Sequence, residues 1–108
     1  MIERNIAMHK RNEELMKQYQ MDKEKIAKGE MRIQDSEARS LLLEENRPIV
    51  LWALKKFRVY TFYSTDDLIS EFNIALLEAI DSYDYSRKYE TSFTTYAING
   101  IIMKSRKL

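Results

Sequence analysis

The stretch from Ser64 to Asp81 constrains the fold more than any other part of the sequence. An α-helix turns by about 100° per residue, so side chains three and four positions apart share a face. One face of this stretch is apolar and consists of Leu68, Phe72, Ala75, Leu76, Ala79 and Ile80, with Ile69 at its edge. A stripe of that width is normally buried, and we expect this helix to lie in the core. Ser64, followed by Asp67 three residues later, has the form of an N-terminal cap.

The opposite face of the predicted helix is acidic and has one apolar residue at its centre. Its polar residues are Asp67, Ser70, Glu71, Glu78 and Asp81. Solvation alone explains such carboxylates, because interfaces are depleted in acidic residues. Ile74, however, is a branched apolar side chain among like charges, which is typical of a contact for a basic helical partner. The spacing leaves both interpretations open.

Composition favours a small helical domain of a soluble cytoplasmic protein. The 108 residues are enough for one modest core, and the two glycines and single proline favour helices over strands and turns. The absence of cysteine is compatible with a reducing compartment. There is no apolar run of membrane-spanning length and no signal-peptide core, so we expect no membrane partner. A net charge of +1 does not by itself argue for nucleic-acid binding.

The sequence divides into a polar N-terminal extension, residues 1–30, and a helical domain, residues 31–108. The extension contains a candidate helix from Glu3 to Ala27. Its apolar stripe is thin and consists of Met8, Leu15, Tyr19 and Ile26. Asn12 and Asp22 interrupt the stripe, so we expect this helix to pack loosely or to be partly disordered. A coiled-coil or partner-binding arm is the alternative.

Two shorter helices are predicted between the extension and the acidic helix. Gly29 marks a break, and Asp35 and Ser36 can cap a helix over 37–45. Pro48 cannot donate a backbone hydrogen bond, which predicts a stop near Asn46 before a second helix through Phe57.

Two sequence motifs in this part of the chain resemble one protein family. Residues 67–84 read DLISEFNIALLEAIDSYD, and residues 93–97 read FTTYA. The first is similar to the pattern D-L-I-Q-E-G-x-I-G-L-x-x-A-V-D-x-F-D, and the second to F-S-T-Y-A. Both patterns belong to the second conserved region of bacterial sigma factors of the sigma-70 family. Residues 42–57 resemble the preceding helix of that region. The resemblance as a whole covers the chain from about Ser36 to the end.

The resemblance implies an all-α fold, a small helical bundle like sigma region 2, and two binding surfaces. One would bind the clamp helices of the largest subunit of bacterial RNA polymerase core, through Asp67, Ser70, Glu71, Asn73, Ile74 and Glu78. The other would bind the −10 element of promoter DNA, including unpaired non-template DNA. Its implied residues are Tyr89, Phe93, Thr95, Tyr96, Asn99, Met103, Lys104, Arg106 and Lys107.

The aromatic residues between Tyr83 and Tyr96 are compatible with this second surface. Arg87 and Lys88 lie among them, and aromatic rings stack on unpaired bases while cations follow the phosphates. Closing the core is the competing role. Tyr83 is assigned to the core, whereas for Phe93 and Tyr96 the residues alone favour neither role.

Departures from the family pattern favour a second interpretation. Asn99 and Gly100 stand where primary sigma factors have paired tryptophans, and the chain ends at Leu108. We expect either a fragment or a naturally short sigma-like protein, with a second chain or an anti-sigma factor as a further partner. The alternative function is an interaction module that modulates transcription without melting DNA. With one histidine, no cysteine and no glycine-rich phosphate loop, we expect no enzymatic activity, no cofactor and no metal site.

Overall fold

The structure, a computed structural model, describes residues 2–58, 62–85 and 92–108. Its helices are α1 (Ile2–Ala27), α2 (Glu37–Glu45), α3 (Arg47–Phe57), α4 (Thr65–Ser82) and α5 (Phe93–Arg106). A 3₁₀ turn, Ile33–Asp35, precedes α2. These ranges contain helices and no strand, which confirms the predicted all-α class.

Helix α4 lies at the centre of the bundle, between α3 and α5. Its buried side chains are Leu68, Phe72, Ala75, Leu76, Ala79 and Ile80. These are the residues of the predicted apolar stripe, so the prediction is confirmed. The predicted cap is also present, because the Ser64 hydroxyl oxygen accepts a hydrogen bond of 3.1 Å from the backbone N–H of Asp67.

The chain breaks between α2 and α3 at Asn46, as Pro48 predicted. Pro48 stands in the first turn of α3. Backbone N–H groups in the first turn form no hydrogen bond within the helix, so the proline removes none. The Ser36 hydroxyl oxygen caps α2 by accepting from the N–H of Arg39 at 3.2 Å. Helix α1 ends at the predicted break, where Gly29 has a φ of 77° that favours glycine.

Helix α1 packs tightly on α2 and α5, so the expectation of loose packing is wrong. Leu15, Met16 and Tyr19 are only 6%, 0% and 1% exposed. Met16 was absent from the predicted stripe. Because α1 contributes these side chains to the same core as α4, it is built into the bundle. The boundary at residue 30 stays a prediction.

Buried hydrogen bonds explain the two polar residues, Asn12 and Asp22, that interrupt the stripe of α1. The side chains of Asn12 and Asn46 donate to each other's carbonyl oxygens, at 2.9 and 2.7 Å. Asn12 also donates to the Thr94 hydroxyl at 2.8 Å, and Asn46 to the backbone carbonyl of Leu42 at 2.8 Å. The network therefore ties α1 to the α2–α3 junction and to the first turn of α5. Asp22 similarly accepts a 2.7 Å hydrogen bond from Ser36.

Replacing Asn12 by alanine should destabilise the protein by about 1–3 kcal/mol, because it leaves buried polar groups of Asn46 and Thr94 without a partner. Urea unfolding followed by circular dichroism measures the change. Lys17→Ala, on the exposed side of the same helix, is the matched control and should stay within about 0.5 kcal/mol of the wild type. Equal stability of the two variants would contradict a structural role for the amide pair.

Candidate functional site

The outward side of α4 carries the six residues predicted to bind a protein partner. Asp67, Ser70, Ile74 and Glu78 are exposed, and Glu71 and Asn73 are half-buried. We call these six residues the α4 face. Ile74 is 47% exposed, although it is a branched apolar residue on a helix with a well-filled core side. The helix cannot bury it without withdrawing the apolar stripe from the core.

One acidic residue of the predicted face belongs elsewhere. Asp81 accepts two hydrogen bonds from the Arg39 guanidinium, at 2.9 and 3.0 Å, and one of 2.7 Å from the Tyr19 hydroxyl. It therefore fastens the end of α4 to α1 and α2. The expectation that Asp81 points to solvent with the other carboxylates is wrong, because these partners on α1 and α2 were not visible from spacing on one helix.

The contacts of Asp81 alter its acidity. Partial burial alone would raise the pKa of its carboxyl group, but the hydrogen bonds from Arg39 and Tyr19 favour the charged form, and the pKa lies below its usual value. Burial, reinforced by the hydrogen bond to Asp81, raises the pKa of the Tyr19 hydroxyl.

The outward side of α5 carries most of the residues predicted to bind DNA. Thr95, Asn99, Met103, Arg106 and Lys107 are exposed, and Tyr96 and Lys104 are half-buried. We call these seven residues the α5 face. Thr95, Asn99, Met103 and Arg106 recur at three- and four-residue steps and share one side of the helix. Tyr96 and Lys107 flank this side, and Lys104 lies at its edge, where it pairs with Glu71 of α4. Tyr89 lies outside the described residues.

Phe93 is not part of this face. Its ring is 0% exposed and packs edge-on against the Tyr83 ring, with centroids 5.4 Å apart. The prediction that Phe93 contacts DNA is therefore corrected: it is a core residue at the start of α5. The serine that caps this helix, Ser92, accepts from the N–H of Thr95 at 3.3 Å and so turns the chain with Phe93 pointing inward.

Tyr96 lies at the boundary between core and surface. Its ring packs edge-on against Tyr83, with centroids 5.2 Å apart, and its hydroxyl is 2.9 Å from the Ser82 hydroxyl at the end of α4. These contacts fix the ring position while leaving part of it accessible. A ring held in this way loses little entropy when a base stacks on it.

A shallow groove runs between α4 and α5, alongside Tyr96. Small residues of both helices form its floor, namely Ala75, Ala79 and Gly100. Its sides carry polar and charged groups, including Glu78 on α4 and Asn99, Lys104 and Lys107 on α5. Ala75 and Ala79 were predicted to belong to the core stripe of α4, and no groove was predicted beside them. The small residues at Ala75 and Ala79, four apart, were the available signal of a close helix approach.

An ion pair between α4 and α5 joins the two faces. The Lys104 ammonium lies 3.1 Å from a carboxylate oxygen of Glu71, and both side chains are about one-third exposed, at 28% and 32%. The family resemblance implied separate surfaces for these two residues. The structure shows that they are partners.

A helical bundle with two polar faces is typical of a small binding domain. Sequence comparison shows which family the chain belongs to. The profile of Sigma-70 region 2 matches residues 42–107. The chain therefore belongs to the sigma-70 region 2 family. No solved structure matches the chain.

Two curated relatives are sigma factors of bacilli. The chain is 37% identical over 68 residues to the RNA polymerase sigma-F factor of Bacillus subtilis (strain 168), a match covering 63% of this chain and 26% of that protein. It is 40% identical over 78 residues to the RNA polymerase sigma-28 factor of Bacillus thuringiensis subsp. kurstaki, a match covering 68% and 32%. The matched parts are thus about a quarter to a third of these relatives. Among the described helices, none has both the length and the apolar character that a membrane span needs.

Because the pKa of Asp81 is lowered by folding, its contribution to stability is present above the unfolded pKa of about 3.9 and is lost as the pH falls through the folded pKa. Asp81→Asn should therefore lower the free energy of unfolding at pH 6, and should reduce its fall between about pH 4 and pH 2.5. Urea titrations across this range test the prediction. Asp66→Asn, an exposed carboxylate on the same helix, is the control. A wild-type acid dependence in Asp81→Asn would contradict it.

Proposed function

We propose that this domain acts in transcription initiation by binding, with the α4 face docked on RNA polymerase core and the α5 face on promoter DNA. The observation that carries the proposal is the match to Sigma-70 region 2 over residues 42–107, which includes both faces. The polymerase supplies the catalysis. The clamp helices of its largest subunit are the proposed protein partner, and the −10 element, including its unpaired non-template strand, is the proposed DNA partner.

The α4 face has the chemistry of a docking site for a basic helix. Ile74 is exposed in the middle of α4, with Ser70 and Glu78 one turn away on either side. An apolar side chain that becomes fully buried on binding can supply much of an interface's energy, while surrounding charges select the partner and orient it. The net negative charge of the face favours a partner rich in arginine and lysine.

Combining Ile74→Ala with Glu78→Lys should weaken binding to purified bacterial core polymerase by at least about 30-fold, because it removes the apolar centre and reverses a flanking charge. Biolayer interferometry with immobilised core enzyme measures the affinity. Leu51→Ala is the matched control, since Leu51 is 53% exposed on α3, outside the proposed face. Circular dichroism confirms that each variant is folded. Unchanged affinity of the double variant would refute the docking assignment.

The α5 face has the chemistry of a DNA-binding surface. Arg106 and Lys107 are exposed and form no ion pair with another described residue, so their charge is available to phosphates. Asn99 offers both a donor and an acceptor, and Met103 is 58% exposed beside it. Among the described residues predicted to contact DNA, the partly accessible ring of Tyr96 is the candidate for stacking on an unpaired base, because Phe93 is buried.

Tyr96→Ala should weaken binding of a single-stranded −10 oligonucleotide about five- to a hundredfold, the range expected for loss of one stacking ring. Fluorescence anisotropy with a fluorescein-labelled oligonucleotide and core polymerase present measures it. Tyr96→Phe keeps the ring and loses the hydroxyl contact with Ser82, and it should retain most of the affinity. If the alanine variant binds as well as the wild type, Tyr96 does not contact the base.

Burial of Phe93 favours one alternative function. In this alternative, one fewer ring is available to hold unpaired DNA, and the domain acts as an interaction module that occupies the polymerase and modulates or inhibits transcription without opening DNA. In vitro transcription separates the two functions. An initiation domain produces open complexes, detected by permanganate footprinting of unpaired thymines, whereas the interaction module lowers transcription by other factors and gives no footprint.

A further inference from the structure

The Glu71–Lys104 ion pair joins two residues whose proposed partners are different. Glu71 belongs to the α4 face and Lys104 to the α5 face, and their charged groups lie 3.1 Å apart. A carboxylate paired within the domain attracts a basic partner less strongly. An ammonium group paired within the domain likewise attracts a phosphate less strongly.

We propose that Glu71 is a positioning residue that holds Lys104 away from DNA until a cation of the docking partner takes over its carboxylate. The proposal rests on the proposed function, because it concerns regulation of the same two faces. Each partner competes with the intramolecular pair, so binding of either one frees a group for the other. By thermodynamic linkage, polymerase docking would raise the affinity for DNA, and DNA binding would raise the affinity for polymerase by the same factor.

The surroundings of the pair support this assignment. Lys104 lines the groove with Asn99 and Lys107, so its release adds a cation to the surface where DNA is proposed to lie. The side chains of Glu71 and Lys104 are each about one-third exposed, so a partner can reach either charged group from solvent. Neither group is buried deeply enough for its separation to require unfolding. A solvent-accessible ion pair of this kind has only a small interaction free energy. The expected gain in DNA affinity when the pair separates is therefore about two- to fivefold.

The test uses the full 108-residue chain without polymerase, and a fluorescein-labelled single-stranded −10 oligonucleotide as the probe. Glu71→Gln removes the carboxylate charge and releases Lys104, and it should bind the probe about two- to fivefold more tightly than the wild type. Glu78→Gln is the matched control. It removes the same charge from the same face of α4, but Glu78 forms no ion pair with a described residue. It should give the smaller gain that comes from lowering the negative charge alone.

The salt dependence distinguishes a released lysine from a general charge effect. Each additional phosphate contact to single-stranded DNA steepens the slope of log affinity against log salt by about 0.7. Glu71→Gln should show this steeper slope, and Glu78→Gln should keep the wild-type slope. A merely structural role of Glu71 would change stability and leave the slope as it is.

A double-variant cycle assigns the gain to Lys104. In a Lys104→Gln background, Glu71→Gln should gain no more affinity than Glu78→Gln, because the cation that it releases is absent. Equal gains from the two glutamate variants in the wild-type background, or a gain that persists without Lys104, would overturn the proposal.

The outcomes also separate this proposal from the proposed function. If the wild type and the Glu71→Gln variant bind the probe with equal affinity and equal slope, the ion pair has no regulatory role and the DNA-binding function stands. If no form of the protein binds the probe, with or without core polymerase, the DNA-binding function fails, and the positioning role of Glu71 fails with it.

Discussion

Burial of the apolar side of α4 is the constraint on which the rest of the structure depends. The helix contributes six buried side chains and packs between α3 and α5, so its rotation about its own axis is fixed. Turning it to bury Ile74 would bring carboxylates into the core, where an unpaired charge is strongly unfavourable. The exposed isoleucine is therefore a consequence of how the core is built, and its position on the outward side is held by the same contacts that stabilise the fold.

Polar contacts play a similar role for α1. The amide pair of Asn12 and Asn46, with Thr94, is fully enclosed, and an enclosed amide tolerates few arrangements because each donor and acceptor needs a partner. Lys23 and Gln20, farther along α1, bind the backbone of Tyr83 and Tyr85 at 2.7 and 3.2 Å. Helix α1 thus holds both the segment that follows α4 and the first turn of α5. The position of the α5 face depends on a helix outside the region that matches the family.

The sequence predicted those features that lie within one helix, and it was wrong where two distant segments meet. The core stripe of α4, its Ser64 cap and the break at Asn46 follow from spacing and local chemistry, and all three are present. Asn12 was interpreted as a weak point of α1 because its partners, Asn46 and Thr94, lie 34 and 82 residues away. Asp81 was misplaced for the same reason. Phe93 shows a further limit, since an aromatic residue fits a core and a stacking surface equally well until its neighbours are known.

The close approach of α4 and α5 brings a charged group of one proposed surface into contact with a charged group of the other. Ala79 and Gly100 meet at the floor of the groove, where a Cβ atom on residue 100 would lie 3.9 Å from that of Ala79. Small side chains let the helix axes come near enough for Glu71 on α4 and Lys104 on α5 to pair. A solvent-exposed ion pair contributes little to the stability of the fold. Its larger effect is on the charge that each of the two faces presents to a partner. A change in either helix that altered this distance would therefore alter the electrostatics of both surfaces together.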